Sequence, residues 1–184
     1  MPSTTAPTEV LVDGTWFKFP ADWRTEIFDE LPQYRRATQL GLEGCDVVAL
    51  DELDLWLIEM KDYTYPGAQQ PDDLANTVGR KAAGTMALLY ALARSMSDSP
   101  ARELAVACSA ADRIHLALHI DVKDAGRGAK QVQPVLMPLQ DKLRRAQKAL
   151  GIHKAYVTST LAPNPATHWT ARREPSTRSQ HEDR

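Results

Sequence analysis

The chain has 184 residues, 43% of them hydrophobic, which is enough for one domain with its own core and no need of disulfides. A formal net charge of −2 gives no global attraction to nucleic acid and weighs against unaided, tight DNA binding. Cys45 and Cys108 lie in apolar contexts without metal-ligand spacing, as expected of free thiols in a reducing compartment. Residues 1–8 have neither the basic start nor the apolar stretch of an export signal, and the apolar run 86–93 is too short for a bilayer and meets Arg94. The expectation is a cytoplasmic protein that does not enter a membrane.

In chain order, residues 9–20 read as strand, turn, strand around Asp13-Gly14, a hairpin signal that Pro20 ends. Residues 23–29 fit either a further strand or the opening of a helix, and 33–40 read as a short helix with Pro32 in its first turn. Next comes a hairpin: 44–50 and 55–61 are apolar, strand-length arms rich in β-branched and aromatic residues, joined by a polar turn at 51–54. If it closes symmetrically, Leu50 faces Leu55, Asp46 falls opposite Glu59, and Lys61 shares Glu59's face. An odd-numbered loop would slip the register and send Asp46 to the other face. Two carboxylates and an ammonium on one surface suit metal-assisted phosphodiester hydrolysis, since magnesium prefers carboxylate oxygens and a lysine can hold the attacking water. Acids and lysines at strand ends also form solvated cross-strand pairs. Here, however, the triplet closes a strand in which Leu55, Trp56 and Leu57 indicate burial, where charge is costly unless paired or metal-bound.

Residues 63–71 form a loop turning at Pro66-Gly67. Asp72 or Asp73 caps a long helix to about residue 96, whose small residues Ala75, Gly79, Ala82, Ala83, Gly84 and Ala87 permit close approach to a sheet. After a loop at 97–100, residues 101–111 stay open between helix and strand. Residues 113–122 alternate as a strand, with Ile114, Leu116, Leu118 and Ile120 on one face and His115, Ala117, His119 and Asp121 on the other. His115 and His119 would stand roughly 13 Å apart, too far for joint metal ligation. Residues 123–133 read as a flexible insert, 136–150 as an amphipathic helix ending at Gly151, and 155–160 as a strand. From 163 the chain is rich in Pro, Arg, Ser and Thr, so the domain is expected over 1–162 with a disordered tail over 163–184, Trp169 being its one possible anchor. The basic groups Arg35-Arg36, Arg80-Lys81, Arg127 with Lys130, and Lys142-Arg144-Arg145-Lys148 could border a nucleic-acid groove, although each alone is ordinary solvated surface.

Asp46, twelve intervening residues and then Glu59-Met60-Lys61 resemble the Asp…Glu-x-Lys core of the PD-(D/E)xK nuclease-like superfamily. The order of elements follows that family over about 26–160, while the specific residues lie within 46–61; Cys45 stands where the family's proline would precede the first acid. The resemblance implies a restriction-endonuclease-like α/β (α+β layered) fold: a mixed central sheet covered by helices, with the active hairpin at one edge of the exposed face. It implies Asp46 and Glu59 as metal ligands, the Met60 carbonyl as a further ligand and Lys61 as the catalytic lysine. The family also takes an acid from the first core helix or just before it; Glu30 is the first choice, with Glu26 and Asp29 as alternatives. Lys81 resembles a helix lysine of related sequences, and with Arg80 is a candidate nucleic-acid contact. The implied cofactor is Mg2+ (or Mn2+), the implied substrate DNA, and a protein partner or homo-oligomer is compatible. The expected function is a magnesium-dependent DNA nuclease. The alternative is a catalytically silent nuclease-fold binding or regulatory subunit, for example in mobile-element or phage defence.

Overall fold

In the computed structural model, which describes residues 8–123 and 129–174, the first half of the chain runs β1 (Thr8–Val12), β2 (Thr15–Phe19), β3 (Arg24–Ile27), α1 (Pro32–Thr38), β4 (Val47–Leu50) and β5 (Asp54–Tyr63). The second half continues α2 (Leu74–Ala93), α3 (Pro100–Ser109), β6 (Arg113–Val122), α4 (Ala129–Leu150), β7 (Lys154–Thr158) and β8 (Thr170–Arg173). Single 3-10 turns precede α1 at Phe28–Glu30 and β8 at Pro165–Thr167.

The central sheet has five strands in the order β3-β4-β5-β6-β7. β3-β4 and the β4-β5 hairpin pair antiparallel, whereas β5-β6 and β6-β7 are parallel. Parallel neighbours require crossovers; α2 and α3 form the first and α4 the second. The result is an α+β layered fold around a mixed sheet. One face of that sheet, carrying Val48, Leu57, Leu116 and Leu118, packs against Val78 and Ala82 of α2, Leu104 of α3 and Leu143 of α4.

The other face is covered by strands rather than helices. Val47, Ala49, Trp56, Ile58 and Ala117 pack against Phe17, Phe19, Trp23 and Trp169, beneath a three-stranded sheet ordered β1-β2-β8. Its hairpin turns through Asp13 and Gly14, both at positive φ (46° and 74°), the geometry that two-residue hairpin turns require. The hairpin that carries Asp46 and Glu59 therefore lies inside a sheet covered on both faces, not at an edge of an exposed face, because β3 adds itself outside β4.

The boundary expected at 163 moves as well. Trp169 is buried against Trp56 and Phe19, and β8 pairs with β2, so the fold continues to at least Arg173. A sequence as polar as Thr-Ala-Arg-Arg joins a sheet because β2 offers an unpaired edge. Residues 129–133, expected within a flexible insert, form the first turns of α4 despite Pro134 and Pro138 inside it. Residues 124–128, with Arg127, and 175–184 lie outside the described part. Residues 101–109 resolve as helix, started by Pro100 in the first turn and by Ser99, whose hydroxyl accepts the Arg102 N–H at 3.3 Å.

Candidate functional site

The hairpin closes in the symmetric register: Leu50 pairs with Leu55 and Val47 with Ile58. Asp51 enforces this. Its Oδ1 accepts the N–H groups of Leu53 and Asp54 at 3.0 and 2.8 Å, and its own N–H donates to the Asp54 carbonyl at 3.1 Å. These bonds fix an even-numbered turn, and one residue beyond Val47 and Ile58, Asp46 and Glu59 stand on the same face.

Around Glu59 the charges converge. Its side chain has no solvent exposure, and its Oε1 accepts the ammonium groups of Lys61 at 2.7 Å and Lys81 at 2.6 Å. Lys81 also reaches Asp46 Oδ1 at 3.6 Å, so one ammonium touches both carboxylates. Asp46 is held from the other side, where its Oδ2 accepts the Met60 N–H at 2.6 Å. In a strand the N–H and C=O of one residue point to the same edge, so the Met60 carbonyl lies on the edge that Asp46 occupies. Glu59 Oε2 is buried without a hydrogen-bond partner.

Burial pushes the Asp46 carboxyl above the usual carboxylate range, against the pull of Lys81 and the Met60 N–H. Burial and then the Asp46 charge push Glu59 up, against both lysines. For Lys61 and Lys81 burial acts downward, but Glu59 and Asp46 outweigh it and hold both ammonium groups above the ordinary lysine range.

Lys81 reaches the cluster because α2 lies almost on the backbone before β4. A Cβ on Gly84 would sit 1.9 Å from the Glu43 carbonyl oxygen, an approach only glycine permits. One residue on, the Thr85 hydroxyl donates to the Lys81 carbonyl at 3.0 Å and accepts the Cys45 N–H at 2.8 Å. Helix and strand are thereby locked next to Asp46. Sequence reasoning gave Lys81 only a nucleic-acid contact; the available signal was the Lys81-Thr85 pair, one helical turn apart beside Gly84 and Ala82.

The other sequence candidates are placed as follows. Glu30 is exposed in the 3-10 turn, and Glu26 is half-buried on β3. Asp29 is exposed in the same 3-10 turn, and partial burial and then the Asp46 charge raise its carboxyl. Arg80 is exposed, bonded to the Thr77 hydroxyl at 3.0 Å and 3.9 Å from Glu43.

On the opposite face, beside a cavity of about 260 Å³, Asp121 accepts the hydroxyls of Ser159 and Thr160 at 2.8 and 2.7 Å and the Thr160 N–H at 2.9 Å. His119 Nδ1 lies 2.9 Å from the Thr158 hydroxyl. Burial would raise Asp121, yet His119 and these hydroxyls hold its carboxyl far below the usual range. Each of these groups is partnered, and together they tie β6 to the end of β7. His115 stacks on Trp56 with ring centroids 4.3 Å apart.

Among the described residues no group of three or more His, Cys, Asp and Glu side chains converges into a metal cage. Magnesium does not require one, since it commonly takes one or two carboxylates and completes its shell with water and phosphate. The donors present fit that pattern: Asp46 Oδ1, the unpartnered Glu59 Oε2 and the Met60 carbonyl edge. No helix among the described residues is long and apolar enough to cross a membrane.

Fold and site together define an α+β layered protein with a buried acid-lysine cluster on the helix-covered face of its central sheet. No family model, curated protein or solved structure matches the chain.

Proposed function

We propose that the chain is a metal-dependent nuclease with a restriction-endonuclease-like core, hydrolysing DNA phosphodiester bonds at Asp46, Glu59 and Lys61. The observation that carries this reading is the convergence of those three side chains at one strand pair, with Glu59 fully buried and Asp46 anchored by the Met60 N–H. Such charge inside an apolar sheet is costly, and catalytic chemistry gives a reason to keep it. The Asp…Glu-x-Lys pattern of the sequence supports the same reading.

When bound, Mg2+ or Mn2+ supplies Lewis-acid polarisation of the phosphate and the attacking water. Asp46, Glu59 and the Met60 carbonyl are the groups that would hold it. Lys61, whose side chain is 24% exposed, is the most exposed member of the cluster and the first that a water and a phosphate oxygen would reach. It orients the water and offsets the negative charge that grows on the phosphate. The water oxygen bonds to phosphorus and gives up its proton to solvent, the ester P–O bond breaks, and the leaving sugar oxygen takes a proton from solvent, so one water is consumed for one phosphomonoester and one alcohol. Asp29 adds negative potential near Asp46. Arg80, exposed on α2, would be a contact for the phosphate backbone, and the net charge of −2 makes affinity dependent on such local contacts or on a protein partner or second copy. A cytoplasmic setting agrees with two buried free thiols, Cys45 and Cys108.

One observation favours a second reading, a silent nuclease-fold binding subunit: Lys61 and Lys81 already balance the two carboxylates without any cation. Incubation of the protein with linear, circular and single-stranded DNA and with RNA, under magnesium, manganese or chelator, separates the two. Cation-dependent DNA cleavage is expected. Binding without cleavage under every cation supports the subunit reading.

A further inference from the structure

Resting on the metal-site reading above, we propose that Lys81 is the site's resident counter-cation, which a divalent cation must displace from between Asp46 and Glu59. The protein's own helix thus holds its metal affinity down. Lys81 Nζ sits 2.6 Å from Glu59 Oε1 and 3.6 Å from Asp46 Oδ1, in contact with both groups that a shared cation would have to touch. Two carboxylates and two ammonium groups already sum to zero, so a divalent ion arriving with both lysines in place would leave the cluster doubly positive within a few ångströms.

Lys61 is not the ammonium that must leave. It contacts Glu59 at 2.7 Å and makes no ion pair with Asp46, so it could stay on Glu59 while the two carboxylates held a cation. Lys81 is able to move, because its Nζ is held by the two carboxylates alone among the described residues and its side chain is 19% exposed on a four-carbon stem. The buried, unpartnered Oε2 of Glu59 marks what the lysine leaves unsatisfied. An ammonium satisfies one oxygen of Glu59 and lies farther from Asp46, whereas a metal ion can bond both carboxylates. Once displaced, Lys81 carries its charge towards solvent, where a phosphate anion would meet it, so cation and anionic substrate bind each other's enzyme form more tightly.

The test is calorimetric Mn2+ binding, without nucleic acid, to the wild type, Lys81→Met, Lys81→Arg, Lys61→Met and Asp46→Asn. Lys81→Met should bind the ion at least about tenfold tighter than wild type, the equivalent of about 1.4 kcal/mol. Lys81→Arg should keep the weak wild-type affinity, Lys61→Met should gain less than Lys81→Met, and Asp46→Asn should lose binding. If Asp46→Asn loses binding while Lys81→Met gains none, or if Lys61→Met gains as much, displacement is wrong and the metal site stands. If no variant binds the ion, the metal-site reading falls and this proposal with it. Should Lys81→Met not fold, amine labelling of the wild type decides. Mn2+ should speed modification of Lys81 severalfold in the wild type and not in Asp46→Asn, and an unchanged rate overturns displacement.

Discussion

Lys81→Met removes the ammonium that bridges Asp46 and Glu59 while keeping most of the aliphatic stem and a side chain that favours helix. Glu59 retains Lys61 at 2.7 Å, but Asp46 is left with the Met60 N–H as its hydrogen-bond donor. Breaking a buried pair by deleting one partner costs about 3–5 kcal/mol. The 19% exposure of Lys81 and the survival of Lys61 bring the expected loss down to about 2–4 kcal/mol at pH 7. At this chain length that lowers Tm by about 5–15 °C. The pH dependence has a definite sign on both sides. On the alkaline side, Lys81 is raised above its unfolded value, so its contribution persists from neutral pH up to about pH 10.5 and is lost as pH rises through the folded value. On the acid side Asp46 and Glu59 protonate earlier than ordinary carboxylates because both are raised, and a protonated pair has little use for an ammonium. The gap between variant and wild type should therefore narrow as pH falls from 7 towards 4. Urea unfolding of both proteins across that range measures it. Equal stability at pH 7, or a gap that widens on acidification, would refute the claim that Lys81 holds the two carboxylates.

Gly84→Ala places a methyl 1.9 Å from the Glu43 carbonyl oxygen, so α2 must move off the strand; a loss of about 1–3 kcal/mol is expected by urea midpoint, although alanine is the better helix former. Asp121→Asn should cost about 1–3 kcal/mol at pH 7. Because Asp121 is lowered in the fold, its contribution is present above about pH 3.8 and fades as pH falls towards the folded value, so acid titration of the two proteins should converge there. Trp169→Ala should destabilise the whole fold by about 3–5 kcal/mol, measured by thermal melt; an unchanged Tm would return residues 163–174 to the status of a dispensable tail.

The parts of the fold legible in the sequence are those whose information is local. Alternation over 113–122, the Asp13-Gly14 turn and the apolar arms around residues 51–54 each specify their own geometry, and Asp51 fixes the register that brings Asp46 to Glu59. What escaped is long-range or breaks a local rule. β8 pairs with β2 across some 150 residues of chain, and nothing in Thr-Ala-Arg-Arg announces a strand. The start of α4 was hidden by the Asp-Ala-Gly-Arg-Gly-Ala run, which reads as a flexible insert, and by Pro134, which lacks the N–H a helix interior uses. Lys81 escaped because its place depends on how closely α2 approaches Glu43, a fact of packing that Gly84 permits and does not by itself declare. β3 stayed open between strand and helix until β4 offered it an edge, and that pairing moved the hairpin from the edge to the interior.

The central claim, that Asp46, Glu59 and Lys61 form a hydrolytic centre, is tested most directly by DNA cleavage in Mg2+ or Mn2+ with the wild type, Asp46→Asn and Lys61→Ala, each first shown to be folded. On that claim both substitutions would remove transition-state or metal interactions from the cluster while leaving the apolar core alone. The wild type should cut, both variants should fall to the level seen with chelator, and Asp46→Asn alone should lose cation affinity. Cleavage by either variant at the wild-type rate, or cleavage by the wild type that chelator leaves untouched, would contradict the claim.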